Sequence, residues 1–272
     1  VDQFPKGLKR SVRATPPRQQ HQQPRAFAPR HRLQVGHVNV GGLSSDRLQE
    51  LKLWAIDAEL DVLLLSETRW CYENDWSDAK WHHIHSGTEA DRSDGLLFLI
   101  RTNVCTTAQI GFASVLPGRI GHLRIFFRNR ALDIVGCYQY TANQANFRNG
   151  KRQTFWTLMN QQASALPKRN SVLFVGDFNC STHHLPPYTG TDKHRWGPNL
   201  KRGTQHQDMH MFMEFLKTHH LTVLNSWNAQ LPPTFVNPPA TSSIDHMIMR
   251  LAEADALAKD VKLYPDASFL PC

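Results

Sequence analysis

The sequence predicts a layered α/β domain in which two packed mixed β-sheets are flanked by helices, a four-layer α/β sandwich. Three observations predict it. A chain of 272 residues that is 40% hydrophobic and 10% aromatic can bury one sizeable core. From Leu33 onward, apolar runs bounded by turn residues alternate with stretches of helical periodicity. Mixed strands and helices over about 240 residues fit one layered unit, whose chemistry would sit on loops at strand ends.

The elements follow in order. Residues 33–40 read as a strand, and 45–59 as a helix with Leu48, Leu51, Ala55 and Ala58 on one face. A short buried strand covers 62–66, and further strands are expected at 95–100, 122–127 and 132–138. The next helix, 151–166, places Phe155, Leu158, Met159, Gln162 and Leu166 together. After the strand at 172–176 comes a long surface loop, 181–203, rich in Pro, Gly, His and basic residues. A helix at 207–219 buries Met209, Phe212, Met213 and Leu216, and the last strand covers 243–249.

Charge is unevenly placed. Of the net +8, residues 1–32 hold eight Lys or Arg against the single acid Asp2, which leaves 23 basic and 22 acidic residues for the rest. The first 32 residues, rich in Pro and Gln, have too little apolar surface to offset the entropy of ordering and read as a basic, disordered tail. Such a tail can hold polyanions through phosphate contacts, or serve only as a solvated linker. Cys71, Cys105, Cys137, Cys180 and Cys272 are odd in number and never spaced Cys-x-x-Cys, so neither a disulfide framework nor a zinc finger is signalled and a reducing compartment fits. The longest apolar run, 96–100, falls far short of the roughly 18 residues of a membrane span. Val1 in place of Met leads to the expectation of a piece of a longer polypeptide.

Polar residues that end or interrupt buried strands are the candidates for chemistry. Asn39 closes the first strand before Gly41-Gly42, Glu67 follows Leu63-Leu64-Leu65-Ser66, Asp177-Phe178-Asn179 follows the run from Val172 to Gly176, and Asp245 lies within Ile244-Asp245-His246-Met247-Ile248. Tyr138 ends the strand that starts at Leu132. Each alone has a plain structural reading, a turn-forming Asn or Asp or an aromatic capping a sheet. Together they place carboxylates and carboxamides where a charge is costly unless paired or bound to a cation, and oxygen ligands of this kind suit magnesium.

In this order, Asn39-Val40-Gly41-Gly42-Leu43, Ser66-Glu67-Thr68, Asp94-Gly95, Tyr138, Gly176-Asp177-Phe178-Asn179 and Ser243-Ile244-Asp245 resemble the endonuclease/exonuclease/phosphatase superfamily. Within it the series is most similar to the apurinic-endonuclease-like domain of non-LTR (LINE-type) retrotransposons, over about residues 33–272. The resemblance implies a DNase I-like fold and a magnesium-dependent phosphodiesterase, with manganese as an alternative, that nicks target DNA. It also implies nuclear work beside a downstream reverse transcriptase and away from membranes. By resemblance Glu67 is the principal metal ligand with Asn39 beside it, Asp177 orients or deprotonates the attacking water, and Asn179 donates to the scissile phosphate. Tyr138 contacts that phosphate, and Asp245 orients a catalytic histidine, with Ser243 near it. A metal and convergent donors would stabilise the charge that in-line attack builds up.

Two departures stand out. Gly41 occupies a position where several relatives carry an acid, and no histidine follows His246 to close the site. Asp245-His246 could supply the closing pair only on an irregular strand, because adjacent residues of a regular strand point to opposite faces and cannot both face the site. The expectation is therefore a C-terminal truncation that removes the last strand and leaves an open strand position beside 243–249. His82, His83, His85, His183-His184 and His219-His220 lack the spacing of a zinc hydrolase and read as surface or loop histidines. Arg195, Trp196, Lys201 and Arg202 form either a solvated cluster or a nucleic-acid contact. Two other readings stay open: a phosphoesterase of the same fold acting on a lipid phosphate or RNA, and an inactive remnant that only binds nucleic acid.

Overall fold

The structure, a computed structural model, describes residues 32–183, 185–190, 208–227, 231, 233–237, 240–258 and 260–262. Most of the expected basic tail, the cluster Arg195, Trp196, Lys201 and Arg202, and Cys272 lie outside the described residues. Strands β1 (Val35–Asn39), β2 (Val62–Ser66), β3 (Asn74–Ser77), β4 (Trp81–Ser86) and β5 (Leu96–Arg101) form one sheet in the order β1-β2-β5-β4-β3. A second sheet has the order β10-β13-β9-β8-β7-β6, from β6 (Ile110–Leu116), β7 (Ile120–Phe126), β8 (Ala131–Tyr138), β9 (Ser171–Asp177), β10 (Leu221–Val223) and β13 (Asp245–Arg250). Both sheets are mixed: β1 runs parallel to β2 and β8 to β9, whereas β5 and β13 pair antiparallel with their neighbours. A small hairpin, β11 (Phe235–Asn237) with β12 (Ala240–Ser242), stands apart from both.

The burial pattern explains why two sheets stack. In β2 and β5 every residue from Val62 to Leu65 and from Leu96 to Ile100 is inaccessible to solvent, so these strands are covered on both faces. Leu64, Phe98 and Ile100 turn inward and meet Leu123, Ile134 and Val175 of the second sheet. Leu63, Leu65, Leu97 and Leu99 turn outward beneath Leu48, Leu51 and Ala55 of helix α1 (Ser45–Asp57). Each such side chain, fully removed from water, contributes about 1.5–3 kcal/mol. The Ser44 hydroxyl starts α1 by accepting the Arg47 N–H at 3.2 Å, which satisfies one of the donors a helix start leaves free. On the far side, α3 (Lys151–Ala165) and α4 (Met209–Thr218) cover the second sheet with Phe155, Trp156, Met159, Phe212, Phe215 and Leu216. Two short helices, α2 (Gln144–Arg148) and α5 (Leu251–Leu257), are also present among the described residues.

Three expectations change. In α3 the buried face is Arg152, Phe155, Trp156 and Met159, with Leu158 and Gln162 at its half-buried margin. No strand position is open beside β13, because β9 and β10 flank it. The three-residue β10 is too short to read in the sequence, and without it the place beside 243–249 looks empty. Finally, His82, His83 and His85 are neither surface nor loop residues but buried side chains of β4.

Candidate active site

Strand register assembles the site. Asn39, the last residue of β1, lies opposite Ser66, the last of β2, and Glu67 follows at once. In the other sheet Tyr138, Asp177 and Asp245 sit side by side at the ends of β8, β9 and β13. The Asn39 Nδ2 donates to Asp177 Oδ2 at 3.0 Å and so joins the two sheets at this end. Asn39 Oδ1 accepts the Gly41 N–H at 3.1 Å, and Asp177 Oδ1 accepts the Asn179 N–H at 2.8 Å. Asn179 in turn donates through Nδ2 to the Gln139 carbonyl at 2.9 Å. Glu67 faces the Tyr138 hydroxyl, and burial together with that carboxylate holds the phenol above its usual range.

The electrostatics follow from burying acids close together. Burial pushes Asp177 up to about 6, against the Asn179 N–H and the Asn39 amide, which favour the carboxylate; nearby Glu67 raises it further. Burial also drives Asp245 well above the usual carboxylate range, and Asp177 beside it adds to the shift. His37 of β1 lies against Asp245, its Nδ1 3.4 Å from Oδ1, while Nε2 meets Ser66 Oγ at 3.0 Å. Burial lowers His37 to about 3, which keeps the ring neutral.

All six residues singled out in the sequence, Asn39, Glu67, Tyr138, Asp177, Asn179 and Asp245, therefore meet at one end of the two sheets. His246 points the other way: its Nε2 lies 2.8 Å from the Cys180 carbonyl, the ring packs against Phe178 and Phe212, and burial lowers it to about 4. Asp94 is buried beside Arg119, 3.5 Å from its Nε, and burial raises it to about 6. Sequence reasoning missed the cations around the site. The Arg119 guanidinium is held 4.3 Å from the ring centres of both Tyr138 and Tyr140. Arg69 Nη2 donates to Glu67 Oε1 at 2.6 Å. Arg152, at the start of α3, holds the Asn179 carbonyl at 3.1 Å. An Arg two residues after the candidate ligand was the one legible signal among these.

The donors fit a hard divalent cation. Glu67 offers a carboxylate, Asn39 a carboxamide oxygen and Asp177 a second acid, whereas magnesium takes one or two carboxylates and keeps several waters. Among the described residues no group of three or more His, Cys, Asp or Glu is arranged to enclose a metal. A cation here would rest mainly on Glu67 and retain much of its hydration. Among the described residues no helix is long and apolar enough to cross a membrane.

Two mixed sheets packed face to face, flanked by helices and carrying acids and amides at one set of strand ends, define the DNase I-like class of phosphoesterase folds. The chain belongs to the endonuclease/exonuclease/phosphatase family, whose family model matches residues 36–265. That family's enzymes work with divalent metal ions. The solved structures that share the fold include two AP endonucleases and a 3′ phosphatase of similar extent. An AP endonuclease from Leishmania major aligns with TM-score 0.60 at 12% identity, over 81% of this chain and 79% of that one. A 3′ phosphatase from Neisseria bound to a product DNA hairpin gives TM-score 0.60 at 16% identity, over 84% and 90%. An AP endonuclease from Archaeoglobus fulgidus gives 0.58 at 15%, over 82% and 88%. No curated protein matches the chain in sequence.

Proposed function

We propose that this protein is a magnesium-dependent endonuclease that nicks DNA, working in the nucleus for a non-LTR retrotransposon whose reverse transcriptase lies downstream. The observation that carries the reading is the hydrogen-bonded line Asn39–Asp177–Asn179 set beside Glu67 and Tyr138 at one end of both sheets. DNA as substrate draws support from the family and from neighbours that process DNA. Glu67, with Asn39 beside it, would hold the cation, whose charge would stabilise the negative phosphate. Asp177, fixed by the Asn39 amide and the Asn179 N–H, orients the attacking water and takes its proton. Tyr138, braced by Arg119, and Asn179 contribute donors toward the phosphate. Asp245, on the neighbouring strand, lies against His37 and is held toward its protonated form by burial and by Asp177.

Relaxation of supercoiled plasmid in magnesium tests the reading. Glu67→Gln and Asp177→Asn should each abolish nicking that the unmodified chain performs. Undiminished nicking by either variant would refute the roles. A second reading, nucleic-acid binding without cleavage, is favoured by the Arg69 guanidinium already neutralising Glu67. Under that reading the unmodified chain retards DNA in a gel but leaves plasmid intact across magnesium and manganese.

A further inference from the structure

The loop that presents Glu67 is unusual in its backbone. Glu67 and Arg69, neither of them glycine, both occupy the left-handed region, at φ 58° and 61°. Side chains disfavour that region, and residues stay there only where the surroundings over-determine the path. Backbone bonds fix part of the path: Gly42 donates to the Glu67 carbonyl at 2.8 Å, and Arg69 donates to the Asp94 carbonyl at 2.8 Å. Leu43 donates to the Thr68 carbonyl at 3.0 Å, and the Trp70 indole to the Leu43 carbonyl at 2.7 Å; a further constraint comes from one imidazole.

His85 lies on β4, buried, beneath the loop. Its Nδ1 is 2.6 Å from the Tyr72 carbonyl, which can only accept, so Nδ1 carries the proton. Nε2 is then an acceptor, and the buried Thr68 hydroxyl, 2.8 Å away, donates to it. With its hydrogen committed, the Thr68 oxygen accepts the Trp70 N–H at 3.4 Å. One ring thus ties the residue after Glu67 to a residue four further on, and fixes the direction of every hydrogen bond between them. Trp70 and Tyr72 close over it, with ring centres 5.3 and 5.2 Å from the imidazole. Space for this contact is made by Gly95, where a Cβ would stand 2.0 Å from Thr68 Oγ1, and by Gly87, where it would stand 2.1 Å from the Trp70 carbonyl oxygen.

We propose that His85 is a positioning residue of the metal site, clamping Thr68 and Tyr72 so that the left-handed turn aims Glu67 at the cleft shared with Tyr138 and Asp177. The inference rests on the reading of Glu67 as the metal ligand. Nothing about His85 touches substrate; it acts through Glu67. Its removal should weaken metal binding without a matching loss of global stability.

The test measures Mn2+ binding to the whole chain, by electron paramagnetic resonance of the free ion, with no substrate present. Residues that orient a metal ligand change affinity by about 10–100-fold when replaced, and His85→Phe, which keeps the ring but loses both hydrogen bonds, should weaken binding by about ten-fold. Thr68→Val breaks the same clamp without touching the ring and should weaken it similarly, which covers a failure of the Phe variant to fold. His85→Gln, able to donate and accept, should restore most of the affinity. His83→Phe serves as control: it too is buried on β4, but its ring stacks on Trp76 and lies 3.5 Å from Asp78. Glu67→Gln must lose binding; if it binds like the unmodified chain, the metal-site reading fails and the inference with it. If Glu67→Gln loses binding while His85→Phe and Thr68→Val keep it, or if His83→Phe loses as much as His85→Phe, the positioning role alone is overturned.

Discussion

Replacing Arg152 with methionine tests how the second sheet's loops are held to the helices. Arg152 is 1% exposed, and its guanidinium grips Asp208 with Nε to Oδ2 at 2.9 Å and Nη2 to Oδ1 at 3.0 Å. It also donates to the Tyr140 carbonyl and, at 3.1 Å, to the Asn179 carbonyl. Asp208, 4% exposed, accepts the Trp156 indole N–H at 2.8 Å as well. Arg152→Met roughly preserves volume, yet strands a buried carboxylate whose remaining side-chain donor, among the described residues, is the neutral Trp156 indole. Removing one partner of a buried pair costs about 3–5 kcal/mol, because the remaining charge is left uncompensated. For a domain of this size that corresponds to a fall of about 6–20 °C in Tm. Adding Asp208→Asn removes the stranded charge while a carboxamide oxygen in the place of Oδ2 can still accept from Trp156, so the double variant should regain about 2 kcal/mol over Arg152→Met. Urea unfolding followed by tryptophan fluorescence measures both steps, with Trp156 reporting from the pair itself. A cost under about 1 kcal/mol for Arg152→Met, or a double variant no more stable than the single, would refute the reasoning.

Acid should expose the buried histidines. His246 is held down to about 4 in the folded state, so the unfolded chain takes up a proton below its ordinary 6.5 that the folded one refuses, and stability falls as pH drops from about 6.5 to 4. His246→Phe should lose that contribution, and its stability relative to the unmodified chain should improve by roughly 3 kcal/mol across the window; parallel curves would refute this. Deleting residues 1–31, which hold seven Lys or Arg and the single acid Asp2, should weaken DNA binding most at low salt and flatten the dependence of log K on log salt, by about 0.9 for each phosphate no longer neutralised. An unchanged slope with weaker binding would point to a specific contact in place of diffuse attraction.

What the sequence made legible was the set of residues that violate a pattern. Asn39, Glu67, Asp177 and Asp245 interrupt or end apolar runs, and since strands sharing a sheet end in register, residues that end them tend to meet. Strand alternation likewise separated Asp245 from His246, which the structure places on opposite faces, one toward Asp177 and one against Phe178 and Phe212. The sandwich was legible for the same reason, as β2 and β5 carry no polar face to leave in water.

The supports of the site obey no local pattern. Trp81-His82-His83-Ile84-His85 looks polar, yet His82 satisfies itself on Ser77 and on the Cys105 carbonyl, and His85 on Thr68 and Tyr72, partners up to 23 residues away that no window along the chain pairs with them. Lys151-Arg152 looks like a solvated helix start, yet Asp208, 56 residues on, and the Tyr140 and Asn179 carbonyls make Arg152 a core residue. A buried polar group is tolerated because of its partner, and the partner is set by topology after the strands have found their places. Candidate ligands and nucleophile-activating groups thus announce themselves as breaks in hydrophobicity, whereas the residues that hold them at the right angle are hidden until the sheets are built. A substitution series drawn from the sequence alone would remove the proposed chemistry at Glu67 and Asp177 and still miss His85, Arg119 and Arg152. Under the proposed reading, those three hold that chemistry in place.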